Sequence, residues 1–145
     1  QVGLQFFFVD EPFLPLLGER TLFQQTLDRC GDGARFARPI VVAGAAHVEL
    51  IRDQASAGTQ LIVEPAARNT APAIALAAAA LPEQAIMLVC PSDHYIADGV
   101  AFRAAADSAA ALAADDWMVA FGIAAVRPET GFGYIRRGEK IAGEI

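Results

Sequence analysis

Lysine is nearly absent from this sequence: ten of its eleven basic residues are arginine, and Lys140 is its single lysine. A chemistry that needs several phosphate-binding lysines is therefore not complete within these 145 residues. The formal charge of −6 and the isoelectric point near 4.8 leave no basic stripe on the chain. Because nucleic acids and anionic membranes are bound by displacing counterions with such a stripe, we expect neither as a partner.

Cysteine and long apolar runs are also scarce. Cys30 and Cys90 lie far apart in the sequence and form no C-x-x-C pair. This argues against a disulfide framework or a zinc site and predicts two buried, small hydrophobic residues. The apolar start lacks a cationic segment and a cleavage site, and Asp10 and Pro12 interrupt it too early for a membrane span. We therefore expect a soluble, cytoplasmic protein.

The abundant residues predict one domain with a substantial core. Apolar residues make up 54% of the chain and charged residues 19%, and a chain of this length buries a real core. Short β-like runs alternate with helical stretches, which predicts an α/β fold: a Rossmann-like, mainly parallel sheet with helices on both faces. We predict strands at residues 6–9, 39–43, 61–63, 85–90, 117–122 and 130–137, and helices at 21–30, 46–57, 71–81 and 100–114.

Two of these helices have capping residues at their starts. Thr21 followed by Gln24 three residues later has the pattern of a capping box. Asp98 stands where its carboxylate can cap the last predicted helix. These residues support the helix boundaries independently of the apolar periodicity.

Polar residues follow two of the apolar runs, at the places where α/β proteins build their sites. The string from Glu64 to Ile74, E-P-A-A-R-N-T-A-P-A-I, is a polar turn that leads into a helix. The free backbone N–H groups of that helix start suit an anion or a nucleobase. Asp93 lies at a strand tip suited to holding Mg²⁺ on a phosphate. On position alone, a solvated or helix-capping aspartate explains Asp93 equally well.

The remaining polar residues are weak signals when taken singly. Arg68-Asn69-Thr70 could be only a polar loop with a capping residue. His47 and His94 are better explained as structural imidazoles, since no second histidine or cysteine stands at metal-ligand spacing. The glycines of Glu129–Tyr134 fit either a simple turn or a place where the backbone approaches a ligand closely.

Five strings nevertheless occur in a definite order along the chain. They are F-L-P-L-L-G at 13–18, T-L-F-Q-Q-T at 21–26, E-P…R-N-T-A-P-A-I-A at 64–75, P-S-D-H at 91–94 and E-T-G-F-G-Y-I at 129–135. In this order the chain resembles the bacterial mannose-1-phosphate guanylyltransferases, the GDP-mannose pyrophosphorylases found alone or fused to a phosphomannose isomerase. The match runs from about residue 13 to residue 137, and R-N-T-A-P-A-I and P-[AS]-D-H are marks of the mannose branch.

The resemblance implies a nucleotidyltransferase of the nucleotide-diphospho-sugar transferase type, which forms GDP-mannose and pyrophosphate from GTP and mannose 1-phosphate. It implies that Asp93 is catalytic and binds Mg²⁺. It also implies that the nucleotide is bound by Glu64, Arg68, Asn69 and Thr70, and that the sugar is bound by Gly133 and Tyr134. A sugar 1-phosphate is already ionised near neutral pH, its second pKa being roughly 6, so we expect no general base.

Residues 1–12 depart from the family pattern. The family's glycine-rich loop, G-G-x-G-[ST]-R-L-x-P-L-S, has no match in residues 1–9, and its P-K-Q-F is replaced by Asp10-Glu11-Pro12-Phe13. Glu11 therefore opposes phosphate binding, because two like charges about 4 Å apart repel by roughly 4 kcal/mol at an effective dielectric of 20. We expect residues 1–145 to be a partial nucleotidyltransferase domain, about the first half of a larger one, that is inactive alone.

Two other functions stay open. The missing loop and Glu11 fit a non-catalytic relative that binds nucleotide or serves as a partner subunit. The same strings also fit a pyrophosphorylase for another sugar 1-phosphate or another nucleoside triphosphate. Unrelated phosphate enzymes are disfavoured, because neither G-x-x-x-x-G-K-[ST] nor G-x-G-x-x-G after a strand is present. Homo-oligomerisation and a fused isomerase domain downstream also stay open.

Overall fold

The protein is an α/β structure built on one small parallel sheet. The computed structural model describes residues 2–7, 13–15, 18–31, 33–66, 69–131 and 133–139. Its elements are, in chain order, β1 (Val2–Phe7), α1 (Leu22–Arg29), β2 (Phe36–Gly44), a 3₁₀ turn (Ala45–His47), α2 (Val48–Gln54), β3 (Gln60–Glu64), α3 (Thr70–Ala79), β4 (Ile86–Pro91) and α4 (Gly99–Ala114). The strands lie side by side in the order β3-β2-β1-β4, and all neighbours are parallel. No helix in the described ranges is long and apolar enough to cross a membrane.

Strand β2 shows how the helices come to cover both faces of the sheet. Successive strand side chains point to opposite faces, and successive residues of β2 accordingly belong to two different hydrophobic clusters. The cluster under α1, α2 and α4 includes Phe23, Leu27, Val41, Ala43, Ile51, Leu88 and Ala106. The cluster under α3 includes Ile40, Val42, Ala73 and Ala77. The predicted parallel sheet with helices on both faces is confirmed.

Both predicted helix caps are present. The Gln24 N–H donates to Thr21 Oγ1 at 3.1 Å, and the Thr21 N–H donates to Gln24 Oε1 at 3.2 Å. Asp98 Oδ1 accepts from the N–H groups of Val100 and Ala101 at 3.0 and 2.9 Å. These bonds satisfy donors that have no partner within the helix, which is why α1 and α4 begin where the sequence predicted.

The helix predicted at 46–57 is shorter than expected. The chain forms the 3₁₀ turn at Ala45–His47 and then α2, which ends at Gln54 because Ala55 adopts an extended backbone with φ −73° and ψ 147°. Gly58 follows with φ +87°, in the turn that leads to β3. A side chain at that position would be strained, so glycine serves the turn rather than a helix end.

The two strands predicted at 117–122 and 130–137 are wrong. The described residues of both segments form neither strand nor helix. Their apolar side chains are largely exposed, including Met118, Phe121 and Ile135. A strand requires a neighbour to satisfy its backbone N–H and C=O groups, and within the described residues neither segment pairs with the sheet. Apolar, β-branched composition was the signal that misled the prediction.

Candidate functional site

The carboxyl ends of the four parallel strands lie along one edge of the sheet. β1 ends at Phe7 and β4 at Pro91, and these two strands are neighbours in register. From β1 the chain winds outward through β2 to β3, and it then crosses back over the sheet to place β4 on the other side of β1. The gap between the ends of β1 and β4 is thus the topological switch point, where open α/β sheets bind their ligands.

Asp93 lies in the turn directly after β4, at this switch point. Ser92 beside it is fully buried, which fixes the base of the turn. The Asp93 side chain is 40% exposed and faces His94, whose Nε2 lies 3.9 Å from Asp93 Oδ1. This contact is too long for a hydrogen bond. Within the described residues the carboxylate has no hydrogen-bond partner, and its partial exposure leaves it accessible to a ligand.

The surroundings of Asp93 suit a metal ion that arrives with phosphates. No group of three or more His, Cys, Asp or Glu side chains in the described residues forms a cage for a metal ion. Mg²⁺ does not need such a cage, because it keeps several waters and binds through one or two carboxylates together with substrate phosphates. A single, partly exposed carboxylate fits this mode and does not fit a structural zinc centre.

The start of α3 forms the second polar feature of this edge. Asn69, the residue before the helix, has φ 51° and ψ −176°, and its side chain makes no capping hydrogen bond. Asn69 and Thr70 are both exposed. The first N–H groups of a helix lack intrahelical partners and carry a partial positive charge. Arg68, which precedes Asn69 in the sequence, lies outside the described residues.

Glu64 ends β3, at the far side of the same edge. Its register partner is Gly44 of β2, and β3 is separated from β4 by β2 and β1. Three strand spacings of about 4.8 Å place the ends of β3 and β4 roughly 14 Å apart. Helix α3 leaves the end of β3 and packs on β2 and β1. The structure thus puts Glu64, the α3 start and Asp93 on one edge, at different positions along it.

The two residues predicted to contact a sugar lie in the segment after α4. The Tyr134 hydroxyl accepts from the Glu129 N–H at 2.6 Å and donates to the Arg127 carbonyl at 3.4 Å. These bonds close a loop, and Tyr134 lines an open concavity with residues 125–130. Gly133 is exposed, and a Cβ there would meet nothing within 4 Å. Nothing within the described residues requires glycine at this position.

The sequence did not single out the residues that hold the chain segment after β1. Gln54 Oε1 accepts from Thr21 Oγ1 at 2.7 Å, and Gln54 Nε2 donates to the Phe13 carbonyl at 3.2 Å. The Phe13 ring also stacks on His47, with ring centroids 5.7 Å apart. The structural interpretation of His47 fits this stacking. The role of Gln54 could not be predicted, because a single glutamine on a helix that looks exposed in the sequence is part of no recognisable motif.

The amino-acid sequence is similar to a protein family and to individual proteins of known name. A family model described as "Nucleotidyl transferase" matches residues 9–144. Mannose-1-phosphate guanylyltransferase of Escherichia coli is 45% identical over 141 residues, which cover 91% of this chain and 29% of that protein. Xanthan biosynthesis protein XanB of Xanthomonas campestris is 44% identical over 133 residues, which cover 87% of this chain and 28% of that protein. The chain thus spans less than a third of the length of these relatives.

A solved structure agrees with the fold. A Helicobacter pylori protein described as mannose-6-phosphate isomerase superimposes with a TM-score of 0.79 and 26% sequence identity. The superposition covers 89% of this chain and 53% of that one. The similarity therefore extends well beyond a single supersecondary unit.

Proposed function

This chain belongs to the nucleotidyl transferase family, and on that premise we propose that it forms the nucleotide-binding part of a mannose-1-phosphate guanylyltransferase. The observation that carries the proposal is the position of Asp93 directly after β4, beside the end of β1. The substrates follow from the name of the Escherichia coli relative. Enzymes of the family typically use a divalent metal, and we propose Mg²⁺ at Asp93 in a Rossmann-like crevice.

The proposed reaction requires little acid–base catalysis by the protein. A mannose 1-phosphate oxygen attacks the α-phosphorus of GTP in line, and pyrophosphate leaves. The attacking oxygen is already ionised, since the second pKa of a phosphomonoester is roughly 6. The protein must instead align the two substrates and stabilise negative charge. Bound Mg²⁺ would neutralise charge on the phosphate oxygens, and Asp93 is the residue that would hold it.

The layout of the carboxyl edge supports a proposal in which different parts of the nucleotide lie at the ends of different strands. A ligand that reaches both Glu64 and Asp93 crosses β2 and β1, so it is elongated. Phosphates belong at Asp93 with the metal, which leaves the base for the α3 start and Glu64. A carboxylate only accepts hydrogen bonds, and the guanine amino group is a donor. We propose that Arg68, Asn69 and Thr70 also contact the nucleotide.

The sugar is proposed to bind at the concavity beside Tyr134. Tyr134 presents an aromatic face at the surface while its hydroxyl is held by the loop backbone. Because neither a crowded neighbour nor a positive φ requires glycine at Gly133, close approach of a ligand to the backbone is our explanation for it. The exposed apolar ring and the bare backbone together suit a pyranose face.

The decisive experiment measures Mg²⁺-dependent GTP binding by calorimetry. We expect Asp93→Asn to weaken binding at least about tenfold, which corresponds to about 1.4 kcal/mol, without changing the fold. Asp116→Asn is the matched control, because Asp116 is exposed after the far end of α4 and asparagine tolerates its φ of 63°. Equal Mg²⁺-dependent affinities of the wild type and Asp93→Asn would contradict the metal assignment.

Turnover separates the remaining candidates. The protein as encoded is tested for pyrophosphate release from GTP with mannose 1-phosphate, glucose 1-phosphate or no sugar. Release only with mannose 1-phosphate supports the proposed activity, and release only with glucose 1-phosphate reassigns the sugar. Mg²⁺-dependent GTP binding without any release would identify the non-catalytic relative, which the sequence favours by having Glu11 in place of the family's lysine.

A further inference from the structure

The connection between β1 and α1 leaves the sheet at the switch point. β1 ends at Phe7, beside the end of β4, and the turn that carries Asp93 follows β4. In the described part of the connection, the Phe13 ring stacks on His47, which follows closely on Gly44, the last residue of β2. Because parallel strands end at the same edge, this stacking keeps the connection close to the carboxyl edge, where open α/β sheets bind their ligands.

One side chain of α2 holds this connection at two points. Gln54, the last residue of α2, donates from Nε2 to the Phe13 carbonyl at 3.2 Å. Its Oε1 accepts from the Thr21 hydroxyl at 2.7 Å. Phe13 and Thr21 are both buried, and Thr21 is the residue that caps α1. Gln54 therefore ties the chain that approaches α1 to the start of α1 itself.

The two bonds require an amide at position 54. The Phe13 carbonyl only accepts, so it needs a donor, which Gln54 Nε2 supplies. Gln54 Oε1 carries no hydrogen, so the Thr21 hydroxyl donates to it and keeps a lone pair for the Gln24 N–H, 3.1 Å away. A methionine of similar length makes neither bond. The linked bonds thus specify one arrangement of the connection, α1 and α2.

Apolar packing and the amide act on different parts of Phe13. The ring is buried, and it packs edge-on against Phe23, with centroids 5.4 Å apart, as well as on His47. These contacts fix the side chain, whereas the bond from Gln54 orients the peptide group. The orientation of that peptide group sets the direction of the chain at Phe13, because the backbone has only two soft dihedral angles per residue.

On the basis of the function proposed above, we infer that Gln54 is a positioning residue for nucleotide binding. It holds the connection from β1 to α1 beside the turn of Asp93 before the nucleotide arrives. A connection that is ordered in advance costs less conformational entropy when the ligand binds. Gln54 acts through Phe13 and Thr21, so its loss lowers the affinity for the nucleotide while the groups at Asp93 and at the start of α3 are retained.

Calorimetry with Mg²⁺ and GTP tests this role on variants that circular dichroism shows to be folded. We expect Gln54→Met to weaken GTP binding at least about fivefold, which corresponds to about 1 kcal/mol. Gln60→Met is the matched control, because Gln60 is exposed at the start of β3, on the opposite edge of the sheet. Equal affinities of the wild type and Gln54→Met, or equal losses in both variants, would overturn the inference alone. Absence of GTP binding by the wild type would overturn the proposed function, and the inference with it.

Variants of Thr21 test the same role through the other bond. Thr21→Val deletes the hydroxyl that donates to Gln54, and we expect it to weaken GTP binding in the folded protein. Thr21→Ser restores a hydroxyl and is expected to regain most of the lost affinity. In the double variant Thr21→Val with Gln54→Met, the loss should be smaller than the sum of the single losses, because both changes break one network. Equal affinities of the two Thr21 variants, or fully additive losses, would overturn the inference.

Discussion

Residues 86–91 and residues 117–122 look alike in the sequence, but only the first segment is a strand. Each is an apolar run close behind a helix. Residues 86–91 form β4, which pairs with β1 along its whole length and buries Leu88 and Cys90. In residues 117–122, Trp117 is 49% exposed and Met118 is fully exposed. A paired neighbour therefore decides whether an apolar run becomes a strand.

Hydrogen exchange should show the largest contrast between the two segments. The β4 amides that bond to β1 exchange only when the sheet opens, at a free energy that approaches global unfolding, whereas amides in unpaired backbone are protected little. We therefore expect orders of magnitude slower exchange at those β4 amides than at residues 117–122, measured by NMR with residue resolution. Similar protection in both segments would show that residues 117–122 are hydrogen-bonded in solution.

Substitution of two phenylalanines should give the next largest contrast. Phe23 of α1 is fully buried and packs edge-on against Phe13, with ring centroids 5.4 Å apart. Phe23→Ala is expected to lower the free energy of unfolding by about 3–5 kcal/mol. Phe121→Ala, in the exposed segment, is expected to change it by about 0.5 kcal/mol or less. Urea denaturation measures both, and equal losses would contradict the exposed placement of Phe121.

The two ends of α4, which joins these regions, should respond differently to loss of an aspartate. Asp98→Ala removes the cap that accepts from two backbone N–H groups, so we expect a loss of about 1 kcal/mol. Asp115→Ala removes a negative charge from the C-terminal end of the helix and is expected to be neutral or slightly stabilising. Thermal denaturation compares the stabilities of the two variants. A larger loss of stability in Asp115→Ala than in Asp98→Ala would contradict the capping role of Asp98.

The smallest effect is expected from Tyr134→Phe. The lost hydroxyl holds only the loop between Arg127 and Tyr134, which contributes little to the core. Global stability should therefore stay within about 0.5 kcal/mol of the wild type, while the Glu129 amide exchanges faster. A cooperative loss of stability would mean that this loop packs on the sheet in solution.

Local signals predicted the sheet and its helices well. The capping box at Thr21 and the cap at Asp98 are short-range patterns, and both are seen where the sequence placed them. Strands β2, β3 and β4 begin and end close to the predicted boundaries, because their apolar runs are bounded by polar turns, whereas β1 begins at Val2, four residues before the strand predicted at 6–9. These local patterns do not predict which strands pair, so residues 117–122 were wrongly assigned to a strand.

The candidate site was predictable only in part. The positions of Asp93 and Glu64 at strand ends follow from the order of apolar runs and polar turns. The strained backbone of Asn69 and the bridge made by Gln54 do not. Each of these depends on which elements become neighbours in space. The local sequence around two distant residues does not show that they will be neighbours. The roles proposed for all seven site residues stay predictions: Asp93, Glu64, Arg68, Asn69, Thr70, Gly133 and Tyr134.

The outer side of β4 has a practical consequence for anyone who produces this chain. In the described sheet β4 is the last strand, so one row of its backbone N–H and C=O groups faces away from β1. Such a row is a template for another strand, including one from a second molecule. With the exposed apolar side chains of residues 117–123 beside it in sequence, we expect the isolated chain to self-associate as its concentration rises and to need dilute refolding.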